Sequence, residues 1–109
     1  MAGRVSRGDV WTYEFRKPEK LRPVVVLSRE DVLAVLHTAM VAPVTSTIRG
    51  IPSEVVIGVE EGLKHTSAVN LDHLQTVEQS RLVRQLGRVR GEPLSKLCQA
   101  LAVAFGCEA

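Results

Sequence analysis

Apolar residues arrive in short bursts over most of this chain and take up helical spacing only near its end. Trp11, Tyr13 and Phe15 alternate along Asp9–Phe15, the period-two signature of a strand with one buried face. Pro23–Ser28 is instead continuously apolar and β-branched, as expected of a strand covered on both faces, with Pro23 tolerated at its first position. Glu30–Leu36 fits either a short helix or an irregular excursion. His37–Val44 reads as the next strand, with a polar loop over Thr45–Gly50, and Ser53–Val59 as another, closed by Glu60-Glu61-Gly62. Thr66–Val77 reads as one further extended stretch, Glu78–Leu82 as a helical turn and Val83–Val89 as the last strand.

The pattern then changes. Leu94, Leu97, Cys98, Leu101, Ala102 and Phe105 recur at helical spacing, Pro93 occupies a first-turn position and Gly106 is a natural stop. Such a stripe must cover something, and the open side of the sheet is the candidate. Many short strands with one terminal helix predict a mainly β fold, a small, strongly curved antiparallel sheet or partly open barrel.

At 109 residues the chain suits a single domain spanning 1–109, because two cores would each be too small to bury enough apolar surface. Hydrophobic residues make up 45% of it, which excludes a disordered composition. No apolar run approaches a membrane span, and Met1-Ala2-Gly3-Arg4 leads into polar sequence, so a cytoplasmic protein is expected. Cys98 and Cys107 have no second pair to suggest a disulfide framework or zinc site, and Cys98 is expected to be a small buried side chain of the helix. Net charge is only +2, but residues 1–29 hold seven Lys/Arg against three acids, while the remainder holds seven against nine. A local basic patch of this kind attracts a polyanion whatever the total.

Chemistry gathers at two strand ends. Arg22 stands at the mouth of Pro23–Ser28, and the hydroxyl pair Thr45 and Ser46 at the exit of His37–Val44. If those strands lie side by side, they aim a planar cation and two hydroxyls at one spot, as a phosphate site requires. Taken singly, a strand-start arginine in a surface ion pair and a strand-end threonine capping a turn are the commoner roles. The three aromatics of Asp9–Phe15 are a possible stacking platform, yet a chain with four aromatics in all needs them first for packing.

The ordered set Arg7-Gly8-Asp9-Val10-Trp11, Arg22-Pro23-Val24-Val25-Val26-Leu27-Ser28, Ala42-Pro43-Val44-Thr45-Ser46, Asn70-Leu71-Asp72-His73-Leu74-Gln75-Thr76-Val77 and Arg81-Leu82 leading to Leu86-Gly87-Arg88-Val89 resembles the MazF/PemK endoribonuclease toxins of bacterial toxin–antitoxin pairs. The resemblance runs from Arg7 to the last helix. It implies an SH3-like small antiparallel barrel of the CcdB/MazF type with a C-terminal helix, a homodimer, a MazE-like antitoxin partner, and cleavage of single-stranded RNA to a 2′,3′-cyclic phosphate and a 5′-hydroxyl without metal or other cofactor. Arg22 and Thr45 then match the catalytic pair, Arg22 stabilising the charged phosphorane and Thr45 orienting the reacting groups.

Lys17, Lys20, Ser46, Asp72 and Gln75 are the expected RNA contacts, and Glu19 and His73 the possible acid or base. Because neighbours on a regular strand face opposite ways, Asp72 and His73 cannot share one pocket there, and Asp72, which matches a recurrent family aspartate, is the one expected to touch substrate. The chain departs from the family in its short Arg16–Leu21 loop, in Gln75 where many members have a base, and in Asn70 where some have arginine. An alternative on the same scaffold is a non-enzymatic, CcdB-like gyrase inhibitor, and a third is a plain binding module.

Overall fold

The apolar run that dominates the sequence forms the strand between the two cores. In the computed structural model, which describes residues 4–15 and 21–107, β2 (Leu21–Val26) lies between β1 (Asp9–Glu14) and β3 (Thr38–Thr45), antiparallel to both. Val25 packs into one apolar cluster with Val10, Ala42 and Val44; Val24 and Val26 pack into the other with Trp11, Val41 and Val77. Burial on both faces is what a continuous β-branched run accommodates. Pro23 lies inside the strand, not at its start, opposite Thr12 of β1. Pairing with β3 begins only at Val24, so one edge of β2 is open at Pro23, where a residue without an N–H is tolerated.

A short helix, α1 (Glu30–Val35), follows β2 and resolves the ambiguity of that stretch, with Leu33 buried in the second cluster. Beyond β3 the chain forms β4 (Glu54–Ile57), β5 (Ser67–Asn70), β6 (Gln75–Glu78), a 3-10 turn over Gln79–Arg81, and β7 (Leu82–Arg88). The strand order is β4-β5-β3-β2-β1-β7, with β6 also on β3. The barrel-like sheet is thus antiparallel and not closed. Thr66–Val77 is not the single extended stretch the sequence suggests: β5 pairs with Val44 and Thr45, β6 pairs with Thr38–Val41, and a turn at Leu71–His73 lies between them. That turn decides which of its side chains reach the site.

The last helix, α2 (Gly91–Phe105), ends at Gly106 in the left-handed conformation, φ 71°, that glycine adopts without strain. Its contact face is Leu97, Ala100, Leu101 and Ala104, packed on the cluster that contains Val55 and Ile57 of β4. Full burial of Leu97 alone contributes about 1.5–3 kcal/mol. Cys98 and Phe105 are exposed, contrary to the expected stripe. Each stands one residue, roughly 100°, beyond a contact-face residue, so the buried arc is narrower than the apolar pattern.

The glycine of Leu86-Gly87-Arg88-Val89 has a steric reason. A Cβ on Gly87 would lie 2.2 Å from the Glu61 carbonyl oxygen, and one on Gly62 2.2 Å from that of Leu86. The 3-10 turn Val59–Glu61 therefore lies directly on β7, backbone against backbone.

Candidate active site

The register of β2 and β3 brings the two singled-out side chains together. Val24 is the register partner of Pro43, and Arg22 and Thr45 each lie two residues beyond that last pair, at the same end of the two strands. Both lie on the face that carries Val24, where Trp11 and Tyr13 of β1 and Phe15 just after it pack. The two residues line one cavity of about 290 Å3 together with Phe15 and Pro43. Arg49, Asn70, His73 and Gln75 complete its wall.

Each wall has a local cause. Tyr13 is opposite Arg22 on β1, and its ring meets that of Phe15 edge to face at 4.9 Å, which fixes the aromatic side of the cavity. The Arg81 guanidinium lies 5.7 Å from the Tyr13 ring centroid and holds that ring from its other neighbour. Core packing of the aromatics is borne out for Trp11, which is buried, while Phe15 does two things: it packs on the second cluster and borders the site.

Thr45 does cap a turn. Its Oγ1 accepts the Thr47 backbone N–H at 3.1 Å. That bond uses one lone pair and orients the hydroxyl, leaving its proton to be donated to a ligand oxygen. Beyond it, Glu54 Oε1 accepts the backbone N–H groups of both Arg49 and Gly50, each at 2.9 Å, pinning the loop that carries Arg49 into the cavity wall. Arg22 and Arg49 have no carboxylate partner among the described residues, where the ion pairs are Arg29–Asp31 and Arg88–Asp9. Two guanidinium groups without a carboxylate partner among the described residues give this small cavity a chemistry suited to an anion.

The Asp72 and His73 expectation is reversed. Asp72 does not line the cavity; its carboxylate accepts the Ser53 hydroxyl instead. His73 does line it, and its Nδ1 meets Asn70 Nδ2 at 2.6 Å. The turn at Leu71–His73 breaks the strand alternation and selects one neighbour. Gln75, opposite Val41 on β6, is on the cavity as expected, whereas Ser46 is exposed in the bend after β3 and is not among its lining residues. Lys17, Glu19 and Lys20 lie outside the described residues.

Arg49 and Asn70 are the residues that sequence reading did not place. Arg49 was hidden in a polar loop, and its only signal was a cation a few residues beyond the hydroxyl pair; Glu54 gave no sign of holding it. Cavity size does not identify the site. A larger depression of about 730 Å3 beside α1 contains His37 but none of the residues expected to act in chemistry.

An open antiparallel sheet with a C-terminal helix and an arginine–threonine anion site on adjacent strands places the chain in a recognisable class. Residues 6–105 match the family of PemK-like, MazF-like toxins of type II toxin–antitoxin systems, and the chain belongs to that family. A probable endoribonuclease, MazF5 of Mycobacterium tuberculosis, is 43% identical over 108 residues, covering 98% of each chain. Among solved structures, the M. tuberculosis toxin MazF-mt6 superposes with a TM-score of 0.84 at 33% identity, covering 93% of this chain and 99% of its own. A mycobacterial endoribonuclease in complex with its cognate antitoxin gives 0.86 at 27% identity, covering 96% and 98%.

Proposed function

We propose that this protein is an endoribonuclease toxin that cuts single-stranded RNA without a metal ion, leaving a 2′,3′-cyclic phosphate and a 5′-hydroxyl, and that it acts as a homodimer restrained by a cognate MazE-like antitoxin. The observation that carries the reading is the convergence of Arg22 and Thr45 on one cavity from neighbouring strands. In such a reaction the 2′-oxygen forms a bond to phosphorus, its proton passes to an acceptor, and the bond from phosphorus to the 5′-oxygen breaks as that oxygen gains a proton. Arg22 stays cationic throughout and stabilises the dianionic phosphorane with two parallel N–H groups. Thr45, stiffened by β-branching and by its bond from Thr47, orients the 2′-hydroxyl or a phosphoryl oxygen. His73 and Glu19 are the groups able to move protons. An acidic antitoxin segment laid across Arg22 and Arg49 would compete with RNA for the same cations, which accounts for neutralisation.

The direct test is incubation of the purified protein with mixed-sequence single-stranded RNA in excess EDTA. Discrete fragments bearing cyclic phosphate ends are expected. RNA left intact in EDTA but cut after magnesium is restored would overturn metal independence; intact RNA under both conditions would favour the gyrase-directed alternative. Thr45→Ala is expected to lower kcat by about 10²-fold with RNA binding changed less than about threefold, as for a group that acts mainly in the transition state. Equal loss of binding and turnover would make the hydroxyl a ground-state contact.

Arg49 carries a separable prediction. Because it faces the cavity on a pinned loop, Arg49→Ala should weaken RNA binding uniformly across sequences and flatten the slope of log K against log salt by about 0.7, one phosphate contact on a single strand. An unchanged salt slope would place Arg49 off the RNA path.

A further inference from the structure

We propose that Asn70 is a positioning residue: it fixes the tautomer of His73, so that the imidazole presents an Nε2–H donor to the reacting phosphate and does not serve as the proton acceptor. The inference deepens the endoribonuclease reading and rests on it.

The argument starts from the Asn70 side chain. Its Oδ1 accepts the Asp72 backbone N–H at 3.0 Å, so the amide has one orientation; reversing it would set Nδ2 against another donor. Nδ2 therefore faces His73 Nδ1 at 2.6 Å. An amide nitrogen offers only hydrogens, so Nδ1 must supply the lone pair and the ring proton resides on Nε2. The turn is closed a second time by the His73 backbone N–H on the Asn70 carbonyl oxygen at 3.4 Å, which ties the two residues into one unit.

The adjacent acid does not interfere. Asp72 sits next to His73 in sequence, the arrangement that suggests a carboxylate–imidazole dyad, but its carboxylate accepts from Ser53 of the segment before β4. Among the described residues no carboxylate is bonded to His73 Nδ1, and a carboxylate there would have favoured the opposite tautomer, with Nε2 free to accept a proton. With Nδ1 committed to Asn70, Nε2–H is the ring donor left for the cavity that His73 lines beside Arg22 and Arg49. A fixed donor next to two cations suits an oxygen that gains negative charge in the transition state. The acceptor for the 2′-hydroxyl proton must then be another group.

Two measurements test the assignment. In long-range 1H–15N spectra of protein carrying 15N-histidine, His73, assigned by the signals that vanish in His73→Gln, should show a protonated Nε2 and an unprotonated Nδ1. Asn70→Ala should average the two tautomers, and Asn70→Asp should move the proton to Nδ1. A protonated Nδ1 in the unsubstituted protein overturns the proposal.

In turnover, His73→Ala should lose about 10²-fold, the effect of deleting one transition-state donor, and His73→Gln, which retains an N–H donor, should recover at least about tenfold of that loss. Equal losses in the two variants would show that the ring moves a proton and overturn the donor role. If the unsubstituted protein leaves RNA intact both in EDTA and after magnesium is restored, the ribonuclease reading fails, and the spectra still report the tautomer independently.

Discussion

Replacing Arg22 by alanine is expected to lower kcat for RNA cleavage by about 10³-fold, roughly 4 kcal/mol of transition-state stabilisation, while the folded protein loses less than about 0.5 kcal/mol. The two halves of that expectation have different causes. Arg22 is exposed, lies beyond the last paired residue of β2 on the β3 side and has no carboxylate partner among the described residues, so its removal leaves no buried group unsatisfied. Its guanidinium lines the same cavity as Thr45, where deletion removes the principal countercharge to the phosphorane. Arg22→Lys is the informative companion: it restores the charge but not the planar fork, and should recover no more than about tenfold. Single-turnover cleavage in EDTA with parallel thermal unfolding checks both variants. Full recovery by lysine would mean that net charge matters and bidentate geometry does not. An Arg22→Ala protein that remains toxic in cells without cutting RNA would shift the assignment to the gyrase-type inhibitor.

What was legible in the sequence followed from local rules. The doubly buried β2 and the terminal helix each arise from a repeat of apolar positions within a few residues, and each forms close to where that repeat places it; β1 forms where expected too, but buries both faces, Val10 in one cluster and Trp11 in the other. The convergence of Arg22 and Thr45 was legible for a different reason: both stand at the ends of strong strands, and antiparallel pairing of those strands leaves the two side chains at the same end. The misplaced residues all depend on something that periodicity does not encode. His73 and not Asp72 lines the cavity because the chain turns at Leu71–His73, and that turn is fixed by Asn70 and by Ser53, nineteen positions before Asp72. Cys98 lies outside the buried arc of α2 because the arc width is set by how β4 meets the helix. Arg49 reaches the cavity because Glu54 gathers two backbone N–H groups of its loop. In each case a side chain distant in sequence or a neighbouring element, not the local pattern, decides the outcome.

The same dependence on distant partners makes Asp9 the residue whose loss should cost the fold most. Its carboxylate is completely buried. Oδ2 accepts the Ser6 backbone N–H at 2.8 Å and the Trp11 Nε1–H at 3.2 Å, and Oδ1 accepts Arg88 Nε at 2.9 Å. Asp9 and Arg88 are also register partners on β1 and β7, so one side chain joins the chain's first and last strands. Removing the carboxylate leaves the Ser6 and Trp11 N–H groups without their acceptor, and a buried donor orphaned in this way costs about 1–3 kcal/mol, while Arg88, 39% exposed, regains water. Asp9→Ala should therefore lower the unfolding free energy by at least about that amount and Tm by about 10 °C.

Asp9→Asn is expected to lie close to alanine, since its amide hydrogens must face either the Arg88 Nε–H or the Ser6 and Trp11 donors, and only one oxygen remains to accept. Denaturant titrations at fixed protein concentration check this, the constant concentration removing any contribution from dimer dissociation. A loss below about 1 kcal/mol in both variants would mean that water replaces the carboxylate and that the tie between β1 and β7 is not structural. Asp9 lies five positions before the Glu14–Leu21 pair at the cavity end of the ladder, about 15 Å along the strand, so chemistry should be spared. Below its Tm the Asp9→Asn protein should cut RNA with nearly unchanged kcat, the opposite profile to Arg22→Ala. The two variants together separate the residue expected to tie β1 to β7 from the one proposed to carry the activity.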